Sequence, residues 1–398
     1  MSSSYLSLPK IPIYLGSRTQ LEPEHWTTPV ENQFDLSNYP LGPQTPVSQQ
    51  FKNKLRQGEI VSTTTTSPQD TASKLLSSTP EEKLQHFRKG AEVHRQTRRF
   101  AQSVIRPGML YSDLVDLIDQ CNKRLIEANG LEAGLSFPCG VSVNNCAAHW
   151  TPNKGDVRVI KKEDVVKVDF GLHSNGNVID SAHTICFDPK FNPLLDAAKA
   201  GTEAALREAG VDARFSEIGA AVQEAIESYE VEINGQIKQC VPIRNLSGHS
   251  VDDYRVHGGR SVPIVKCSEP TRMKEGEFYA LETFASTGKG RVVDDGECSH
   301  YMLNPDAPFQ ELNANARALL RCIKTNFGTL AWSKRWVDAL KPLKGKSYLL
   351  ALRTLVNKGI VNEYPPLSDV VGSYVAQFEH TVYIGHGYKE ILTRGDDY

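Results

Sequence analysis

Residues 164–188 read DVVKVDFGLHSNGNVIDSAHTICFD. Residues 164–171 and 176–188 alternate polar and apolar positions and are rich in β-branched side chains, which predicts two strands. Asn175-Gly176 between them is a hairpin turn signal. In the first strand Val166, Val168 and Phe170 share one face, so Asp169 points to the other. Facing residues of an antiparallel pair have a constant index sum. A turn centred on Ser174-Asn175 makes Asp169 and Asp180 direct partners; one centred on Asn175-Gly176 makes them diagonal neighbours on the same face. In either register their β-carbons lie within roughly 4.5–8 Å. Two like charges that close, on strands this apolar, resist desolvation and require positive compensation. A metal meets that requirement, and so does an arginine or plain solvation.

Two further acids lie in apolar strands: Glu282 within YALETFAST (279–287) and Glu379 within YVAQFEHTVYI (374–384). A Glu in such a strand is rarely fully buried unless paired. With His249, flanked by glycine in NLSGHSV (245–251), these acids make an oxygen-rich divalent-metal site plausible. Bridging carboxylates can hold two ions roughly 3.5–4 Å apart. The residues are far apart in sequence, and spacing alone does not bring them together.

Around these strands the chain reads as α+β. Thr79 is placed to cap a helix, with Pro80 in its first position and Glu82 closing a capping box. That helix buries Leu84, Phe87 and Ala91 and ends before Pro107-Gly108. A second carries Leu114, Ile118, Cys121, Leu125 and Ile126 at helical spacing and is stopped by Asn129-Gly130. Residues 194–209 and 215–229 read as helices, and 278–284 and 374–384 as strands. Residues 1–75 are rich in Ser, Thr, Pro and Gln and read as an extension, largely disordered or lying on the surface. Residues 76–398 read as one α+β domain, with 301–364 a helical insert between two strands that each carry a candidate ligand.

The whole-chain properties narrow the class. The 398 residues, 39% hydrophobic and 23% charged, suit a globular protein with a sizeable core. A net charge of −2 gives no case for nucleic acid or an anionic membrane surface. No apolar run is long enough to cross a bilayer. The start, MSSSYLSLPKIPIYLG, lacks the pattern of a secretion signal. Eight scattered cysteines without CxxC read as reduced thiols. Together these points place the chain in the cytoplasm.

Several segments then carry a family resemblance: FPCGVSVNNCAAHWTPNKGD, KVDFG, NVIDSAHTICFDP, IRNLSGHSVDDYRVHGG, YALETFASTGKG, ECSHYM, YPPLSDVVGSYVAQFEHT and RGDDY. In this order, from about residue 79 to 398, they resemble the type 2 methionine aminopeptidases. The resemblance implies the pita-bread fold, two pseudo-symmetric halves around a curved antiparallel sheet, with the insert distinguishing type 2 from type 1. It implies two divalent metal ions (Mn, Fe, Co or Zn): Asp169 on one, Asp180 and Glu379 bridging, His249 and Glu282 on the other. A hydroxide between the ions would attack the methionyl carbonyl, with Glu282 relaying its proton and the metals stabilising the oxyanion. His149 would assist the leaving nitrogen, and His257 would hydrogen-bond the substrate or intermediate. The methionine pocket would be formed by Phe137, Val256, Phe284, His300, Ala331 and Tyr364. The implied substrates are nascent polypeptide N-termini with a small second residue, handled by a monomer with no nucleic-acid or membrane partner.

Three departures matter. Val256 stands where many relatives have Ile, and Ser247 where Asn is common near His249. Residues 1–75 lack the Lys-rich and acidic blocks of animal members, so ribosome association is not carried over. Cys139 and Cys146, near the site, read as structural thiols. The competing readings are a non-catalytic binding protein on the same fold and an X-Pro aminopeptidase or prolidase. Five intact ligand positions weigh against the first. The insert and the CAAHWTP and YPPL segments weigh against the second.

Overall fold

In the computed structural model, which describes residues 29–34, 39–46, 80–308, 311–343 and 347–398, the hairpin turns on Asn175-Gly176. Both turn residues have left-handed backbones, φ 50° and 81°, the geometry that such a two-residue turn needs. Ala133–Val143 (β2), Val165–Ser174 (β3) and Asn177–Cys186 (β4) form an antiparallel three-stranded sheet in the order β2-β3-β4. Helices α1 (Pro80–Val104) and α2 (Tyr111–Ile126) pack on it. Leu84, Phe87 and Ala91 of α1 are buried as their spacing predicts, and Phe87 stacks on Phe278 at 3.7 Å. Thr79 lies outside the described residues. Helix α2 stops earlier than Asn129-Gly130: Glu127 takes the left-handed position, φ 56°, and its N–H bonds the Arg124 carbonyl. A non-glycine residue there is uncommon, which is why the Asn-Gly signal downstream was the more visible one.

The second half is a larger sheet. Gln44–Pro46 (β1), Val241–Pro242 (β5), Ser247–Val251 (β6), Ser261–Pro263 (β7), Phe278–Ser286 (β8), Val375–Gly385 (β12) and Tyr388–Ile391 (β13) are arranged β1-β13-β12-β8-β6-β7, with β5 also on β8. Helices α3 (Asn192–Glu208) and α4 (Phe215–Glu227) cover it, burying Leu194, Ala198, Phe215 and Ile226 against Phe284, Phe378 and Val382. The halves thus repeat one plan, two helices on an antiparallel sheet, which is the pita-bread α+β fold. Part of residues 1–75 belongs to this core rather than lying on its surface: β1 pairs with β13, and Val30 and Tyr39 are buried. Short β pairing leaves almost no hydrophobic period to read, so composition alone pointed to an extension.

No backbone ladder joins β4 to β12. Hydroxyls span the seam instead. Thr381 Oγ1 accepts the Asp180 N–H at 2.9 Å and donates to the Asp180 carbonyl at 2.6 Å. Thr184 Oγ1 does the same for Gln377, at 2.8 Å each way. Ser181 Oγ donates to the Glu379 carbonyl at 2.6 Å.

Residues 301–364 include helices α5 (Ala314–Asn326), α6 (Lys334–Leu340) and α7 (Leu349–Asn357) around a cluster that includes Leu319, Ile323, Trp332 and Leu355. This segment also contains a small sheet that its helical periodicity hides. His300–Leu303 (β9) pairs with both Trp332–Ser333 (β10) and Val361–Tyr364 (β11), and His300 directly opposes Tyr364. The segment therefore leaves and re-enters the main body on adjacent strands.

Behind the seam Arg98 is fully buried and holds Asp397 through two bonds, Nε–Oδ2 and Nη2–Oδ1, each 2.6 Å. Removing one member of such a pair strands the other charge in the interior. Asp397→Ala is expected to lower unfolding stability by about 3–5 kcal/mol in urea; a loss well under 1 kcal/mol would show that solvent reaches Arg98.

Candidate active site

Strand register brings the acids together. Gly171 opposes Asp180, so Asp169 and Asp180 are diagonal neighbours, the second of the two arrangements that the sequence allowed. A Cβ at Gly171 would meet Phe137 Cε1 at 2.1 Å, so this position must stay bare for Phe137 to lie beside the acids. Glu282 on β8 directly opposes Glu379 on β12. His249 on β6 opposes Ala280, two residues before Glu282 and therefore on its face. Asp180, His249 and Glu379 each offer a ligand atom within 4.8 Å of the others, and all three are buried. Asp169 and Glu282 are outside that trio. Gln377 ties them to each other, its Nε2 donating to Asp169 Oδ2 at 3.1 Å and to Glu282 Oε2 at 3.0 Å. All five line one cavity of about 280 Å³.

The charge balance of this cavity is unusual. Among the described residues no Lys or Arg pairs with any of the four acids; the one ion-pair contact is His249 Nε2 to Asp180 Oδ2 at 3.5 Å. Burial pushes the Asp169 carboxyl up to about 6, opposed by the Gln377 bond. Asp180 is raised well above the ordinary range by burial and then by Asp169. Glu282 and Glu379 are raised by burial and by the other acids. Burial drives His249 down, with His257 adding to it, so the ring is neutral. Its Nδ1 lies 3.2 Å from the Ser250 carbonyl, which assigns the proton to Nδ1 and leaves Nε2 bare toward Asp180. Ser250, rather than the side chain at position 247, thus orients the ring.

Several acceptors in or beside this cavity have no donor. Asp169 Oδ1, Glu379 Oε2 and Gln377 Oε1 are buried without a hydrogen-bond partner. Orphaned carboxylate oxygens converging with a bare imidazole nitrogen fit divalent cations, and the mixed oxygen and nitrogen donors suit Mn, Fe, Co or Zn alike.

The expected neighbours lie on the same cavity: His149, His257, Phe137, Val256, Phe284, His300, Ala331 and Tyr364. His149 has a left-handed backbone, φ 64°, which is uncommon outside glycine and aims its ring edge-on at Tyr364, centroids 5.9 Å apart. Burial, then His300 and His257, lower its pKa to about 3. His257 is exposed at the mouth, its ring centroid 4.1 Å from that of His249. His300 Nε2 donates to the Pro138 carbonyl at 3.3 Å, and Nδ1 faces Ser299 Oγ at 2.9 Å. Both its nitrogens are thereby engaged, so His300 forms wall rather than a free polar group. Cys139 is fully buried, and burial raises its thiol well above the usual range, which suits a structural thiol.

Sequence reading missed Gln377, Leu246 and Met302, which touch the site or line its cavity. Gln377 was within reach: two residues before Glu379 on the same strand, it must share that face. Met302 had no such signal, because the strand that carries it was not visible.

The metallopeptidase family M24 model matches residues 85–386. Methionine aminopeptidase 2 of Schizosaccharomyces pombe is 54% identical over 313 residues, 78% of this chain and 73% of the relative. That of Schizophyllum commune is 52% identical over 320 residues, 80% of this chain and 75% of the relative. Among solved structures, a thermophilic Arx1 aligns with TM-score 0.66 at 16% identity, over 78% of this chain and 90% of that one. The methionine aminopeptidase of Thermotoga maritima aligns with TM-score 0.52 at 22% identity, over 80% and 98%. These two structures show the fold; the closer sequence relatives carry the activity. The chain belongs to metallopeptidase family M24 and, within it, to the type 2 methionine aminopeptidases, metal-dependent enzymes that remove N-terminal methionine.

Proposed function

We propose that Asp169, Asp180, His249, Glu282 and Glu379 hold two divalent metal ions, and that the enzyme acts in the cytosol on new polypeptides with a small second residue. The observation that carries this reading is the set of orphaned acceptors converging on one cavity with apolar walls. Divalent cations bound there supply a water of lowered pKa and polarise the scissile carbonyl. Glu282 has Oε2 tied to Gln377, which leaves Oε1 to accept the proton and pass it on. His149, neutral and lining the cavity, serves the leaving nitrogen, and His257, on the same cavity, bonds the substrate backbone.

Phe137, Val256, Phe284, Met302, Ala331 and Tyr364 supply apolar wall for the methionine side chain. Burying a methionine side chain is worth about 1.5–3 kcal/mol, so the pocket should favour Met over Ala by about 10–100-fold in kcat/KM. Release of methionine from Met-Ala-Ser, compared with cleavage of Ala-Ala-Ser and of an X-Pro peptide, checks this. Preference for X-Pro would reject the substrate assignment.

His149→Ala should lower kcat by about 10²–10⁴-fold with full metal content by elemental analysis. A fall in metal content would move His149 among the ligands instead. His249→Ala and Asp180→Asn should lose both metal and turnover.

Folding raises the four carboxyl pKa values, so the metal-free native state binds more protons than the unfolded chain. Their contribution to stability is complete below the ordinary value of 3.8 and is lost as pH rises through about 6, the Asp169 step, and beyond. Bound metal reverses the trend, because fewer protons need displacing at higher pH. The increase in urea midpoint on adding Mn²⁺ or Co²⁺ should therefore grow as pH rises past about 6. An increment independent of pH would separate the metal from these acids.

A further inference from the structure

The candidate ligands sit on both sides of the seam that lacks a backbone ladder. Asp169 and Asp180 belong to β3 and β4; His249, Glu282 and Glu379 belong to β6, β8 and β12. The trio Asp180, His249 and Glu379 straddles it, and so does the Gln377 link between Asp169 and Glu282. The width of this seam therefore sets the separation of the two groups of ligands.

Beside the Ser181 bond to the Glu379 carbonyl, two threonines hold that width. A hydroxyl carries one donor and two acceptor sites, so it can bind both the N–H and the C=O of one facing residue. Thr381 does this to Asp180 and Thr184 to Gln377, in antiparallel register with each other. Thr381 is itself held: its N–H donates to Thr393 Oγ1 at 3.1 Å, and its carbonyl accepts the Leu392 N–H at 2.9 Å. Both threonines are buried, so water does not compete for these bonds.

We propose that Thr184 and Thr381 are positioning residues for the metal centre. Thr381 fixes the backbone from which Asp180 reaches the trio. Thr184 fixes the backbone from which Gln377 reaches Asp169 and Glu282. Neither touches a ligand's side chain; each acts through the main chain of the residue it grips. The inference rests on the metal-ligand assignment made above.

The test compares the parent with Thr381→Val, Thr184→Val and the matching Ser variants in the full chain. Co²⁺ affinity is measured by calorimetry on metal-stripped protein, the urea midpoint without metal serves as the folding control, and kcat and KM are measured with Met-Ala-Ser. Valine keeps the shape and removes the hydroxyl. Each Val variant should bind Co²⁺ about 10–100-fold more weakly. It should lose kcat with KM unchanged, and Ser should restore both properties. Val variants with the parent's Co²⁺ affinity overturn the proposal. So does a Ser variant as defective as Val, or a lowered urea midpoint with unchanged affinity, which is the mark of a purely structural role. Should a Val variant not be recovered folded, Thr→Cys at the same position takes its place, because a thiol bonds only weakly; parent-like affinity in that variant also overturns the proposal. A parent chain that binds no Co²⁺ would instead reject the ligand assignment itself.

Discussion

Four carboxylates share one cavity, and among the described residues no lysine or arginine neutralises them. Two unit charges about 4 Å apart repel by about 4 kcal/mol at an effective dielectric of about 20. A domain's whole net stability is only about 5–15 kcal/mol. Four such acids cannot all be ionised here without a counter-charge, so the native state either takes up protons or takes up cations. Everything built around the cavity serves to keep these acids together despite that repulsion. Asp169, Asp180, Glu282 and Glu379 stand on strands whose positions are fixed by ladders, not on loops that could swing apart.

The sheet meets this constraint in two ways. Within each half, backbone pairing sets the acids at fixed offsets: Glu282 directly across from Glu379, Asp169 diagonal to Asp180. Between the halves a continuous ladder would bring β4 and β12 within ordinary strand spacing. Interposed hydroxyls hold the two strands in register without that ladder while leaving no peptide group of Asp180 or Gln377 unsatisfied. A seam built from side chains is also less forgiving than a ladder, because each threonine supplies both bonds on its own.

The legible part of this design was the part with a period. Alternation placed Asp169 opposite Val168 and Phe170, and Asn175-Gly176 fixed the turn, so one carboxylate pair could be argued from spacing alone. Spacing could not choose between two registers, and it said nothing of Glu282, Glu379 or His249, which reach the site through pairings across the chain. Resemblance supplied their convergence. Thr184 and Thr381 gave no signal, since a threonine in a strand usually fills a β-branched position and no more. The strands at His300–Leu303 and Val361–Tyr364 were hidden because four-residue segments beside strong helices carry too little pattern to stand out.

Those two strands link the cavity wall to the backbone of His149. His149 holds an unfavourable left-handed backbone, which persists only where its surroundings over-determine it. One constraint is Ser299: its Oγ lies 3.3 Å from the His149 carbonyl oxygen, 2.9 Å from His300 Nδ1, and accepts the Thr151 N–H at 3.3 Å. His300 in turn pairs with Tyr364, whose ring meets that of His149 edge-on. The segment that forms this wall of the cavity is thus the same one that aims His149. A change in that wall would also move the imidazole, so the shape of this edge of the cavity and the placing of His149 cannot vary independently.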